Sequence, residues 1–383
     1  MIDLPLLYQK HLKCQVTLRM WLLVQIIVNL LQKQRWVRLE TLASLMPKYI
    51  KFHSRRRGMQ RLLSSPALRF ERSWFPIFKE WLETQFKPTD VLYLAIDRTQ
   101  WCTVNLFVVS LLYDGRSLPI YIVNLDKKGQ SSLQEQMDAL SPVLSLLSQY
   151  KKVILGDREF CGVELARWLK GQKNTYFCLR LKKSTYLEIE DELWISLQEL
   201  GLKPGMSLYF KGVKVTRAKG FGPVNVAAKW KRKYRGWAPE EAWFILTNLP
   251  DLEQALLAYQ KRMGIEEMFR DFKKGGYNLE GTQVRGDRLI ALTFLITLAY
   301  WQSTIVGQRI KAKGVAEYVN RPTEPQRKYR RASSFYTGNR GQAWLDSLET
   351  FADVAQQLMA LCPQKRTHYR RGKRAALLVQ SAF

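Results

Sequence analysis

The stretch Tyr259–Lys273, YQKRMGIEEMFRDFK, carries four side chains whose types and spacing suit work on a phosphate ester. Read as one helix, it brings Tyr259, Arg262, Glu266 and Lys273 within roughly 60° of arc. One face then bears a phenol, a guanidinium, a carboxylate and an ammonium. A carboxylate can hold a divalent cation, Arg and Lys grip phosphate, and the phenol can donate to a phosphate oxygen or stack on a sugar or base. The competing reading is a solvated face with an i,i+4 Arg–Glu pair. Leu256, Leu257, Met263, Met268, Phe269 and Phe272 supply the apolar side that would seat such a helix, and Pro250-Asp251 marks its start. Glu267 lies about 100° round from Glu266, off the polar stripe.

The spacing Y-x2-R-x3-E-x6-K resembles the YREK signature of bacterial cut-and-paste DDE transposases of the insertion-sequence-four family. The resemblance implies two aspartates upstream, each at the end of a core strand. It further implies that Asp97, Asp157 and Glu266 are the catalytic carboxylates and hold two Mg²⁺ ions, for which Mn²⁺ can substitute. Tyr259, Arg262 and Lys273 would hold DNA phosphates. Both aspartates are present. The near-continuous apolar run Val91–Ile96 ends at Asp97, and Val153–Gly156 ends at Asp157, as expected of strands buried on both faces. The tetrapeptide Asp157-Arg158-Glu159-Phe160 looks like the family's second-aspartate motif, with Glu159 as an off-pattern carboxylate. Taken singly, either aspartate could instead cap a turn or the next helix.

The elements that must position these residues follow from periodicity. Asn105–Tyr113 and Leu118–Asn124, joined through Asp114-Gly115-Arg116, form a β-meander with the first strand. A helix over Ser132–Leu147, the strand before Asp157, a helix over Gly162–Lys170 and a strand over Thr175–Leu181 complete the order β-β-β-α-β-α-β. That order resembles a ribonuclease H-like core, in which Asp97 and Asp157 sit on neighbouring strands. The fold class expected is α/β. Residues 1–70 would be a helical DNA-binding domain, 88–183 with 243–306 the catalytic core, 184–242 a β-rich insertion, and 307–383 a basic helical C-terminal region.

Within residues 16–70, WLLVQIIVNLL reads as one helix and Arg38–Met46 as a second, stopped by Pro47. A third starts with a Ser54 cap and a basic first turn of Arg55, Arg56 and Arg57. Helix, turn and basic helix is a DNA-binding arrangement; a helical cap with a solvated basic face is the alternative. In the insertion, Leu208–Thr216 and Val224–Lys231 alternate as strands. Lys229–Trp237 interleaves cations with rings, so that Lys231, Arg232 and Lys233 suit phosphates and Trp237 a base. An edge strand protected by lysines is the competing reading there. Trp243 opens the returning strand. The resemblance implies that a tryptophan here stacks on a base flipped out of the duplex in hairpin-forming members, with Trp237 as runner-up and core packing as the alternative. Trp344–Leu361 reads as a helix between the basic runs Arg327–Arg331 and Arg370–Arg374.

Composition agrees with a nucleic-acid partner. Lys and Arg number 61 against 33 acids in 383 residues, a net charge of +28, which calls for a polyanion, nucleic acid before an anionic membrane surface. Five cysteines without a C-x-x-C pair and three scattered histidines give no readable zinc site, disulfide framework or His-based triad. Leu289–Val306 is long enough to raise a membrane span, but Thr293, Thr297, Gln302, Ser303 and Thr304 make it a buried core helix. No secretory signal is legible. The expectation is a cytoplasmic, nucleoid-associated DNA transposase. It would act on double-stranded terminal inverted repeats and target DNA as a homodimer, through a hairpin intermediate, with no membrane and no small-molecule cofactor. A metal-dependent nuclease without strand transfer and an inactive transposase-derived DNA-binding protein are the alternatives.

Overall fold

The computed structural model describes residues 3–232, 240–321 and 332–383; Lys233, Trp237 and the run Arg327–Arg331 lie outside them. The chain divides into two units, one of residues 1–69 and 271–383, the other of residues 70–270.

The first unit begins with α1 (Leu6–Leu12), α2 (Leu18–Gln34), α3 (Leu39–Leu45) and α4 (Phe52–Leu63). Thr17 caps α2 by accepting the Met20 N–H. The residue before Pro47, Met46, is extended and ends α3, as the proline ring dictates. Helix α4 starts two residues before the expected Ser54 cap, with Lys51 at its N-cap and no side chain capping it. Its basic turn is engaged within the unit. Arg55 Nη1 donates to the Ser44 and Met46 carbonyls at 3.2 Å each, satisfying the open end of α3, and Arg56 Nε lies 2.9 Å from Glu40.

The second unit holds α5 (Phe75–Gln85), β1 (Val91–Trp101), β2 (Val104–Tyr113), β3 (Arg116–Asn124), α6 (Leu133–Leu146), β4 (Lys151–Gly156), α7 (Val163–Lys170) and β5 (Thr175–Arg180). It continues with β6 (Tyr186–Glu190), β7 (Leu193–Ser196), β8 (Ser207–Val215), β9 (Phe221–Lys229), β10 (Trp243–Thr247), α8 (Leu252–Lys261) and, as far as Arg270, α9 (Met263–Phe272). The strands form one sheet in the order β3-β2-β1-β4-β5-β10-β9-β8-β6-β7. Strands β1, β2 and β3 are antiparallel neighbours, while β1, β4 and β5 run parallel. This five-stranded part is the ribonuclease H-like order expected from the sequence. Crossing helix α6 starts with a full capping box, Ser132 and Glu135 exchanging hydrogen bonds.

Two readings need correction here, the end of β1 and the single helix over Tyr259–Lys273. Strand β1 does not stop at Asp97; it pairs with β2 through Trp101 and Val104, because the β1–β2 turn is only Cys102-Thr103. Strands β6 to β9, within the described residues of 184–232, extend the core sheet edge to edge: β10 pairs with β5, and β9, β8, β6 and β7 follow in series. The stretch Tyr259–Lys273 is not one helix. Helix α8 ends at Lys261 and α9 begins at Met263, with tightened i,i+3 bonds from Arg262 N to Tyr259 O and from Ile265 N to Arg262 O.

The remaining helices of the first unit are α10 (Gly286–Ala312), α11 (Ser334–Thr350), α12 (Ala352–Ala360) and α13 (Arg366–Gln380). Helix α10 is long and apolar enough to cross a membrane, but 89% of its most apolar window is buried inside the protein, which makes it a core helix. It meets α11 at two glycines: a Cβ on Gly307 or Gly338 would overlap the Ser334 or Ser303 carbonyl of the facing helix. The expected helix Trp344–Leu361 is instead split at Phe351 between α11 and α12. Helix α11 also starts well before Trp344, because Gly338 and Gly341, poor helix formers, permit the close approach to α10.

Candidate active site

The parallel register of β1 and β4 runs from Val91 opposite Lys151 to Ala95 opposite Leu155. The ladder ends two residues before Asp97 and Asp157, the latter lying just past the end of β4, and the Asp157 charge acts on Asp97. A continuous apolar run precedes each aspartate because both strands are covered on both faces; Leu94, Ala95, Ile96, Ile154 and Leu155 are fully buried. The Asp97 side chain is 16% exposed and accepts the Arg98 N–H at 2.7 Å. Asp157 caps the short turn after β4 by accepting the Glu159 N–H at 2.8 Å. The capping role considered as an alternative is therefore real for Asp157, and its carboxylate still faces the Asp97 charge.

Glu266 joins them through Arg262. The guanidinium, on the joint between α8 and α9, donates Nη1 to Asp97 Oδ2 at 3.2 Å and Nη2 to Glu266 Oε1. The i,i+4 Arg–Glu pair thus exists, but it is three-way and its Arg262 side chain is only 10% exposed. Helix α9 reaches this position because residue 264 is glycine. A Cβ there would lie 2.8 Å from Leu112 Cδ2 and 3.1 Å from the Arg116 carbonyl carbon and oxygen. Arg116, on β3, then ties α9 down by an ion pair to Glu267 at 2.5 Å.

Charge sets the behaviour of the cluster. Burial first, then the Asp157 charge, raises the Asp97 carboxyl to about 6, against the pull of Arg262. Burial works against the Arg262 charge, yet Tyr259, Asp97, Glu266 and Asp157 together keep it firmly protonated. Tyr259 does not present its phenol to solvent. It is buried against Trp243, ring centroids 5.1 Å apart at 76°, and burial raises its pKa while Arg262 and Arg180 lower it.

Three carboxylates form an all-oxygen donor set of the kind hard Mg²⁺ prefers. Among the described residues no three His, Cys, Asp or Glu side chains are gathered closely enough to hold an ion as they stand. The Arg262 guanidinium lies between Asp97 and Glu266 and supplies the neutralising charge. The donor chemistry fits a divalent cation, with Arg262 as the group that must yield.

The other sequence candidates scatter. Trp243 is half-buried, with Lys231 Nζ 4.0 Å from its ring centroid on one side and the Tyr259 edge on another. Arg232 lies over Gly205, and Lys273 is paired with Glu280 at 2.8 Å. Arg57 is exposed. Sequence reasoning overlooked the arginines after the aspartates, although Asp97-Arg98 and Asp157-Arg158 repeat the same dipeptide. Arg158 and Arg180 share Glu241 at 2.5 and 2.7 Å. Arg98 forks onto Glu159 at 2.6 and 2.8 Å, which makes the off-pattern carboxylate an ion-pair partner. Burial opposes the Glu159 charge, but Arg98 and Ser131 outweigh it and lower its pKa.

A family model described as the transposase DDE domain matches residues 98–302, more than half of the chain, beginning one residue past Asp97. No curated protein sequence matches. Among solved structures, the chain is similar to the cryo-EM structure of the piggyBac transposase synaptic complex with hairpin DNA. The identity is 12%, with 83% of this chain and 69% of that chain covered, at a TM-score of 0.42.

Proposed function

Because this chain belongs to the transposase DDE-domain family, we propose that it is a cut-and-paste DNA transposase of the insertion-sequence-four type. It binds terminal inverted repeats, cuts at the element's ends and joins the freed 3′-hydroxyls to target DNA. The observation that carries this reading is the convergence of Asp97 and Glu266 on one buried guanidinium, with Asp157, just past the end of the neighbouring strand, close enough to raise the Asp97 pKa.

In this reading Asp97, Asp157 and Glu266 hold two divalent ions. When bound, such ions activate an attacking hydroxyl and neutralise the leaving oxygen. The hydroxyl oxygen of water, or later of a DNA 3′ end, forms a new P–O bond as the P–O3′ bond breaks; the attacking hydroxyl loses its proton to solvent, and the departing O3′ takes one from solvent to become the free 3′-hydroxyl. Arg262, released from the carboxylates it now bridges, turns its donors to a DNA phosphate. Tyr259 and Trp243 form the wall behind it. In the hairpin route Trp243 accepts an extruded base, which must displace the Lys231 ammonium from the indole face. Residues 1–70, with the exposed Arg57, contact the terminal repeat, and two copies pair in the DNA complex.

The test is incubation with the element's own terminal repeat and Mg²⁺, with products resolved on a denaturing gel. Nicking at the repeat boundary is expected. Asp97→Ala, Asp157→Ala and Glu266→Ala should abolish it while leaving end binding largely intact, since binding rests on basic residues. Near-normal cleavage by Glu266→Ala sinks the assignment.

A further inference from the structure

The β1–β4 ladder stops at Ala95 and Leu155, two residues short of the aspartates. Past that point the two segments bring together the Asp97 and Asp157 carboxylates, whose like charges repel. What ties them together there is a fork of two hydrogen bonds, from Arg98 Nε and Nη2 to the two oxygens of Glu159, at 2.6 and 2.8 Å. Arg98 directly follows Asp97. Glu159 lies two residues beyond Asp157, which accepts its N–H. Resting on the reading of Asp97 and Asp157 as metal carboxylates, we propose that Arg98 and Glu159 are a positioning pair that fixes the separation of those two carboxylates for the ions.

The rest of the network makes the fork rigid. Arg98 Nη1 donates to Asn105 Oδ1 at 2.6 Å and to Gln100 Oε1 at 3.3 Å. Asn105 is fully buried, and its Nδ2 donates to the Lys127 and Gly129 carbonyls at 2.8 and 3.1 Å. Glu159 Oε1 also accepts the Ser131 N–H at 3.1 Å and the Ser131 hydroxyl at 2.9 Å. Four pieces of chain therefore meet at one planar pair: β1, β2, the 125–132 loop and the turn after β4. The Arg98 and Glu159 side chains are 12% and 13% exposed. A pair so buried adds little net stability, because desolvation offsets the Coulomb gain. It does impose direction, since two parallel N–H···O bonds fix both planes where one ammonium would not. That suits a geometric task next to charges that must be kept at a set distance.

The test uses the full chain with Arg98→Lys, Glu159→Gln, and the milder Ser131→Ala, which removes only the hydroxyl donor to Glu159. Three quantities are read: Mn²⁺ affinity by electron paramagnetic resonance of the free ion, end binding without metal, and the Mg²⁺ dependence of nicking. Arg98→Lys and Glu159→Gln should weaken Mn²⁺ binding about 10- to 100-fold, the usual cost of losing a group that orients a metal ligand. Half-saturating Mg²⁺ should rise in step, nicking should recover at high metal, and metal-free end binding should stay within about twofold. If the ionic variants fail to fold, Ser131→Ala decides, with an expected weakening of a few-fold. Wild-type Mn²⁺ affinity in every variant that folds overturns the proposal. Asp97→Ala separates the two levels. If it too binds Mn²⁺ normally, the carboxylate reading itself fails; if it loses Mn²⁺ while the fork variants do not, only the positioning role fails.

Discussion

Gly264→Ala tests whether the seat of α9 sets the catalytic geometry. In a free helix alanine is favoured over glycine by about 0.8–1.0 kcal/mol. Here the new methyl would lie 2.8 Å from Leu112 Cδ2, a side-chain end that can turn aside, and 3.1 Å from the Arg116 carbonyl carbon and oxygen, which cannot. Overpacking of this kind costs about 1–3 kcal/mol. The net expectation is a loss of up to about 2 kcal/mol, or a fall in Tm of up to about 8 °C for a unit of this size. The easier relief is a shift of α9 away from the β2–β3 hairpin, which would stretch the Arg116–Glu267 pair and carry Glu266 off Arg262. A misplacement near 1 Å can cost about 10²-fold in rate, so a shift of a few tenths should slow nicking about 5- to 20-fold. Thermal unfolding, metal-free end binding and nicking would be measured side by side. A Gly264→Ala protein with the native Tm and the native nicking rate refutes the reasoning. So would a loss of end binding at unchanged Tm.

End binding should weaken about 10³-fold or more between 50 and 200 mM salt if six or more phosphates are contacted, and a flat dependence would remove the electrostatic basis for the reading. Trp243→Ala should still nick the first strand but lose most hairpin product; an unmutated protein that yields double-strand ends and no hairpin at any time point returns Trp243 to the core. Asp97 titrates near 6 when folded, above its unfolded value, so the metal-free protein should lose stability as pH rises from about 4 to 6. Asp97→Asn removes that loss, worth up to about 3 kcal/mol, and should raise Tm at pH 8 while leaving it nearly unchanged at pH 4. A larger effect at pH 4 than at pH 8 would contradict it.

Much of the second unit was legible in sequence because buried parallel strands advertise themselves. Val91–Ile96 and Val153–Gly156 are apolar on both faces, and each gives way to an aspartate. The boundaries that went wrong were those set by distant partners. Strand β1 runs on past Asp97 because Trp101 pairs with Val104 across a two-residue turn. Strands β6 and β7, five and four residues long, are too short to stand out by periodicity, and gain their place from β8. The Arg55 and Arg56 cations read as a DNA face, yet they satisfy Glu40 and the carbonyls at the end of α3.

By itself, then, the sequence determined the residue types available for chemistry and the strand or helix each rides on, since those depend on local periodicity. Only the tertiary structure decided the pairings. Arg262 reaches Asp97 across 165 residues, Arg98 reaches Glu159 across 61, and Tyr259 turns inward to Trp243. Such partnerships depend on the register of strands and the seat of a helix on a hairpin. Those are fixed by packing between segments far apart in the chain, and no local spacing encodes them.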